Sequence, residues 1–414
     1  MASIPQELVD AIVGKVADIP SLKACALAGS MFRETSQRTL LQSLRLTTSW
    51  KDPDWSATCS LLEESPHIAS YITHLTIEVL DDTPSNNIKC LEQILAKLVN
   101  VRKCVIDELT GVFDAGYHTP TFPSALLDFL TREPLRELHV VYIDQVSANV
   151  VLRMLTTAPI VSFFDVTVPE DLGHDPVPDM PQHPPKVQDL ILNENESTHL
   201  LLSQPQSKSY TQLLLRRLSF DTRHDPSSRL ICAIADTLQY IRFNIYRLEE
   251  AIPTPIPLLP MLTVVEFLLG FNILATPSFS DLILDVVRMS PQLAIITIYA
   301  AFEELEDELV TNVTQLPVWD AVISAHPVRP TMQWCLTFPF TFWNRSERAE
   351  PLAEFAEPIR RGMPNLQEEG RLVFDKYYEH RFEIEQYLRR EWPYAGRHLP
   401  AHSHESLIRT HVDH

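Results

Sequence analysis

Apolar residues recur along most of this chain as a triplet with spacing n, n+3 and n+5. The triplets are Ile72/Leu75/Ile77, Val101/Cys104/Ile106, Leu135/Leu138/Val140, Val161/Phe164/Val166, Val187/Leu190/Leu192, Leu215/Leu218/Phe220, Leu238/Ile241/Phe243, Leu262/Val265/Phe267 and Leu293/Ile296/Ile298. Positions n+3 and n+5 share one face of a strand, because side chains alternate along extended backbone, and n is the corner residue feeding it. The stretches between triplets read as helices, and Pro134, Pro159, Pro260 and Pro291 stand between helix and strand. Proline disfavours helical geometry in the residue before it and has no N–H for a ladder, so it punctuates the change. Helix and strand iterated every 23 to 34 residues predict an α/β solenoid: parallel strands on a concave face, helices outside. A doubly wound domain alternates the same elements, but it leans on glycine-rich turns, and this chain has nine glycines in 414 residues.

The pattern changes at both ends. Leu8, Ile12 and Val16 recur every four residues and align on one helical face. Pro20 and Ser21 open a second helix through Leu22, Cys25, Ala26 and Leu27, and Ser30 is placed to cap a third running toward Leu40 and Leu41. Residues 1–46 are therefore predicted as a three-helix module, 47–375 as the repeat domain, and 376–414 as a cap helix with a flexible histidine-containing tail. PEDLGHDPVPDMPQHPPK (169–186) predicts an extended loop, and Pro253, Pro255, Pro257 and Pro260 a proline-rich connection in place of a helix. Beyond Trp319, MQWCLTFPFTFW (332–343) predicts a further strand, and the segment from Leu366 through GRLVFDKYYEHRFEIEQYL the terminal unit that shields a solenoid's last core face. The repeat spacing brackets that of leucine-rich repeats, which the array resembles in degenerate form.

Composition narrows the function. With 54 acids against 34 bases the formal charge is −20, which opposes nucleic-acid binding and favours partners with a basic face. No apolar run reaches the roughly 18 residues that span a bilayer, so no membrane role is expected. The opening MASIPQELVD lacks a basic n-region and an apolar h-region, so a cytoplasmic or nuclear protein is expected. The sequons at Asn195, Asn312 and Asn344 carry little weight on that reading. Cys25, Cys59, Cys90, Cys104, Cys232 and Cys335 are scattered singly among apolar residues and read as buried small hydrophobes in a reducing compartment.

Catalytic signatures are lacking. Gly111 and Gly116 have phosphate-loop spacing with no Lys-Ser/Thr behind them, and neither a GxSxG elbow nor an HExxH helix occurs. His398, His402, His404, His411 and His414 have no carboxylate or thiolate cluster to complete a metal site. Asp81-Asp82 and Glu368-Glu369 are neighbours in sequence only, which sets no acid against a base. No cofactor, metal or catalytic residue is expected; an enzyme would have to assemble its groups from distant loops.

The segment IPQELVDAIVGKVADIPSLKACALAGSMFRETSQRTLLQSLRL resembles the F-box motif, especially in fungal F-box proteins with degenerate leucine-rich repeats. In that family the leading Leu-Pro step and apolar helical residues insert into a Skp-type linker of cullin-based ubiquitin ligases. The matching positions are Ile4 and Pro5 for the step, Leu8 and Ile12 for the first helix, then Leu22, Cys25, Leu27 and Phe32. Ile4 replaces the usual leucine, Phe32 a tryptophan, and Ala28-Gly29-Ser30 stands where Val-Cys-Arg/Lys is usual. The resemblance implies a substrate-recruiting adaptor, with an unknown protein target on the repeat face. Arg217, Asp221, Tyr240, Arg242, Asn244 and Glu266, at outward strand positions, are the candidate target surface. The alternative is a leucine-rich-repeat interaction scaffold with no ligase role.

Overall fold

A computed structural model describes residues 5–16, 18–47, 55–78, 85–107, 121–132, 135–169, 186–193, 196–204, 207, 210, 215–221, 226–245, 256–269, 276–301, 314–337 and 349–378. Its centre is one sheet of twelve strands, all parallel and all in chain order. They are β1 (Ser43–Thr47), β2 (His74–Glu78), β3 (Lys103–Asp107), β4 (Glu137–Ile143), β5 (Ile160–Val166), β6 (Asp189–Asn193), β7 (Arg217–Asp221), β8 (Tyr240–Ile245), β9 (Val264–Leu269), β10 (Ile295–Ala301), β11 (Thr331–Thr337) and β12 (Leu372–Tyr378). Each strand pairs only with its sequence neighbours, so every connection steps in the same direction. Right-handed crossovers that all step one way place their helices on one face and leave the other open. The predicted solenoid-like alternation of helix and strand is what forms.

The core follows that asymmetry. Strand residues at n+3 and n+5, such as Leu75, Ile77, Leu218, Phe220, Ile241 and Phe243, form one continuous buried cluster with helix residues such as Leu126, Leu230 and Ile283. Phe220, Phe243 and Phe267 occupy matching register positions on β7, β8 and β9. Their rings sit 5.2 and 5.3 Å apart, and the contacts run on through Phe279, Trp319, Trp334 and Phe355 at 5.4 to 6.5 Å. These spacings suit favourable ring pairing, so aromatic packing ties five successive repeats together. At the corners leading into β2–β10, β5 apart, the amides of residues n+1 and n+2 both donate to the n+1 carbonyl of the preceding strand: Arg102 and Lys103 to Thr73, Arg216 and Arg217 to Gln188, Gln239 and Tyr240 to Arg216. The repeat is therefore defined by backbone bonding as well as by side chains.

One triplet is out of register. Leu138 pairs with Val161 and Val140 with Phe163, so the repeat residues of β5 are Ala158, Val161 and Phe163, not Val161, Phe164 and Val166. The cause is local. Tyr142 in β4 and Asp165 in β5 have positive φ, 52° and 50°, which breaks alternation beyond them and turns Ile143 and Val166 inward. Val166 then mimics an n+5 residue, and the small corner residue Ala158 carries a weak apolar signal. Pro159 has no amide, so only Ile160 donates to Arg136 at that corner.

The domain boundaries shift too. β1 belongs to the sheet yet all of it but Thr47 falls within residues 1–46, because Leu41, Leu44 and Leu46 repeat the triplet directly behind a helix; Leu44 pairs with Leu75 and Leu46 with Ile77. At the other end β12 carries the sheet to Tyr378, where a cap helix was expected from residue 376. The strand expected at 332–343 is β11 as far as Thr337, and the terminal unit expected from Leu366 contains β12. The loop at 170–185, Pro253, Pro255, residues 338–343 and the histidine tail lie outside the described residues.

Ahead of the sheet come α1 (Gln6–Val13), α2 (Ile19–Ala28) and α3 (Ser30–Leu40). Asp18 caps α2 by accepting the Ser21 amide at 2.8 Å, with Pro20 in the first turn where its missing N–H costs nothing. Val9, Val13 and Leu22 form a small core with Val16, Met31, Phe32 and Leu40 around it, separate from the sheet's core.

Candidate interaction surfaces

The open face of the sheet carries the even positions n+2, n+4 and n+6. On β6 to β10 these assemble a connected group. Asp189 lies 3.5 Å from Arg217, whose guanidinium sits 4.7 Å from the Tyr240 ring centre. The Tyr240 hydroxyl donates to Glu266 at 2.7 Å, Arg242 lies 3.7 Å from the same carboxylate oxygen, and its guanidinium sits 5.3 Å from the Tyr299 ring centre. Neighbouring strands bring these residues together through register: Arg217 pairs with Tyr240, and Arg242 with Glu266. Arg217 is exposed, Tyr240 and Glu266 are half-buried, and Arg242 and Asn244 are buried.

Four of the six residues proposed from sequence, Arg217, Tyr240, Arg242 and Glu266, thus form one cluster. Asn244 is on the adjacent row, and Asp221 stands beside it in register. Sequence reasoning missed Asp189 and Tyr299, although both lie at outward positions of strands whose triplets were recognised. Carrying the register one strand further on either side would have found them.

A second group occupies β1 to β4. Glu137 lies 3.6 Å from His139 and 3.9 Å from Lys103, and Arg45 meets Glu78 at 2.7 Å. The His139 ring beside it, with Lys103 nearby, holds the Glu137 carboxyl below its ordinary range. Burial depresses the His139 imidazole, favouring its neutral form. Burial likewise raises the Asp189 carboxyl, with Arg217 acting against it. Lys103–Glu137, Arg45–Glu78 and Asp189–Arg217 are cross-strand acid–base pairs of the kind that fix register and present polar anchors, while Glu137 and His139 share β4. They set no base against a nucleophile. Cys104 is held inert, its thiol pushed up to about 12 by burial. Cysteine burial is uneven: Cys59, Cys104 and Cys335 are buried, Cys25 and Cys90 intermediate, and Cys232, against expectation, exposed.

The second surface lies on the N-terminal helices. Leu8 and Ile12 are 56% and 57% exposed and Leu27 is 86% exposed, while Pro5 is also exposed. Leu22 is turned into the unit's own core, Cys25 and Phe32 are half-buried, and Ile4 lies outside the described residues. Gln6 ties α1 to α3 by donating to the Met31 carbonyl at 3.2 Å, and Thr35 donates to Asp10, which fixes how the exposed residues are presented.

Among the described residues no helix is long and apolar enough to cross a membrane, and no three His, Cys, Asp or Glu side chains gather as for a metal ion. No protein-family model and no curated protein matches the chain.

Proposed function

We propose that the chain is a substrate-recruiting adaptor of a Skp–cullin–F-box type ubiquitin ligase. On this reading α1–α3 are an F-box-like module that holds the linker, and the sheet is a degenerate leucine-rich-repeat array whose open face holds a protein target. Ubiquitin is transferred by other subunits, in the cytoplasm or nucleus, and this chain makes and breaks no bonds. The observation that carries the reading is the exposure of Leu8, Ile12 and Leu27 on a unit that closes its core without them. Folding gives no reason to keep three large apolar side chains in water there, whereas a partner groove does. Two of them, Leu8 and Ile12, occupy first-helix positions of the F-box resemblance.

The test is a binding titration of the full chain against a purified Skp-type linker, with a Leu8→Ala/Ile12→Ala variant alongside. Removing two interface anchors is expected to weaken binding by on the order of 2 kcal/mol or more, about thirtyfold. Both residues lie outside the unit's core, so the variant keeps its helical content. Absence of binding by folded wild-type protein would overturn the reading and leave an interaction scaffold without a ligase role.

A further inference from the structure

The charge of this chain is not spread evenly over the sheet. The amino ends of β3 to β7, with the helix ends that feed them, carry Arg102, Lys103, Arg136, Arg153, Lys186, Arg216 and Arg217. The carboxyl ends of β2 to β5 carry Glu78, Asp107, Asp144 and Asp165. A strand of five to seven residues separates the two ends. That is about 17 to 23 Å at ~3.3 Å per residue. The Debye length at physiological salt is roughly 8 Å, so the acidic end does not cancel the field at the basic end. Acids on the basic rim offset three of its seven positive charges: Glu137 lies by Lys103, Asp189 by Arg217, and Asp128 by Arg153 at 3.4 Å. Arg136 and Arg216 are exposed and have no side-chain partner among the described residues. Both are n+1 corner residues, so the same backbone hydrogen bonding holds them in line along the rim. Val99, 57% exposed, adds an apolar point beside Arg102.

We infer that this rim is a docking surface for an acidic, extended polypeptide segment of a partner protein. Five adjacent strands at ~4.8 Å span about 19 Å, the length of roughly six extended residues at ~3.3 Å each. A segment that short keeps its carboxylates over the rim. Nucleic acid fits less well, because its affinity grows with the number of phosphates neutralised and a longer polyanion runs into the field of a chain of net charge −20. The inference goes beyond the ligase reading and holds whether or not α1–α3 bind a linker.

Fluorescence anisotropy with a labelled (Glu-Glu-Leu)4 peptide tests it on the full chain, using a (Lys-Lys-Leu)4 peptide and a single-stranded oligonucleotide of equal charge as comparisons. The acidic peptide is expected to bind saturably, to weaken with added salt, and to lose at least tenfold in affinity in Arg136→Glu/Arg216→Glu. Thermal unfolding of that variant should match wild type, since neither side chain is buried or has a partner among the described residues. Leu8→Ala/Ile12→Ala should leave peptide binding unchanged, which separates this result from the fate of the linker proposal. No saturable binding, equal binding by the charge-reversed variant, or tighter binding of the oligonucleotide overturns the inference.

Discussion

Helices α1–α3 enclose Val9, Val13 and Leu22 and leave Leu8, Ile12 and Leu27 in water, whereas the sheet that follows turns its repeated apolar residues into one continuous core. The two regions therefore owe their shape to different things. In the array each repeat buries its face against the next, so stability accumulates by neighbour contacts along the sheet. The helical unit is too small to gain much that way, and hydrogen bonds among Gln6, Asp10, Met31 and Thr35 join its helices alongside its three buried side chains. An exposed apolar residue means little in isolation. It gains meaning here because buried alternatives one position away, Val9 for Leu8 and Val13 for Ile12, already serve the core.

The contrast predicts unequal responses to truncation. Phe243→Ala opens a cavity between Phe220 and Phe267 and should destabilise the array by about 3 to 5 kcal/mol, read as a lower urea midpoint. A loss below about 1 kcal/mol would mean that the aromatic chain is not a shared core, and the comparison would fail at its first step. Asp320→Ala should come next. Its buried carboxylate accepts the amides of Asn365 and Leu366 at 3.0 and 2.9 Å and so caps the short helix Pro364–Glu368 from a different helix, Leu316–Ser324. Removing it leaves two donors unsatisfied, at a cost of about 1.5 to 3 kcal/mol. Hydrogen exchange at Asn365 and Leu366 should accelerate while amides in β3 to β5 keep their protection.

Most of the array was legible because its signal is redundant. Eight of the nine triplets fall on strands in the expected register, since a buried corner residue and two inward strand residues recur whatever helix lies between. β5 was misread because a positive φ at Asp165 reverses alternation, and periodicity carries no trace of a single backbone angle. β1 was hidden by context: Leu41, Leu44 and Leu46 fit the triplet but follow a helical pattern without a break. In α1, Leu8/Ile12 and Val9/Val13 are equally good i, i+4 pairs, and sequence spacing alone does not say which faces inward. The Arg217, Tyr240, Arg242 and Glu266 cluster was recoverable because register maps sequence positions onto neighbours in space.

That ambiguity in α1 yields the next prediction. Val9→Ala removes two carbons' worth of fully buried surface and should cost about 1 to 2 kcal/mol in the helical unit. Leu8→Ala should stay within about 0.5 kcal/mol, as exposed substitutions do. Thermal melts followed at the Val13 methyl groups distinguish them. If Leu8→Ala proved the more damaging, the exposed patch would be part of the fold and would cease to argue for a partner.

The smallest effect concerns acid. Thr35 and then Gln6 hydrogen-bond the Asp10 carboxylate, and the Ser21 amide and hydroxyl that of Asp18, holding both pKa values below the ordinary 3.8. A carboxylate whose folded pKa is depressed contributes stability above its unfolded pKa and loses it as pH falls through the folded value. The helical unit should therefore be insensitive to pH between about 5 and 8 and loosen only below about 4. Asp10→Asn should be less stable than wild type at pH 7, and the difference should shrink in strong acid, where the wild-type carboxyl is protonated too. Because both groups sit at the surface, the shift is expected to be slight and confined to α1–α3, visible as line broadening of Val9 and Val13 while the Phe243 region of the array stays unchanged. Loosening that began in the array, or an Asp10→Asn difference that persisted in acid, would show that hydrogen bonding at Asp10 is not what orders the helices, and would return that role to the apolar core.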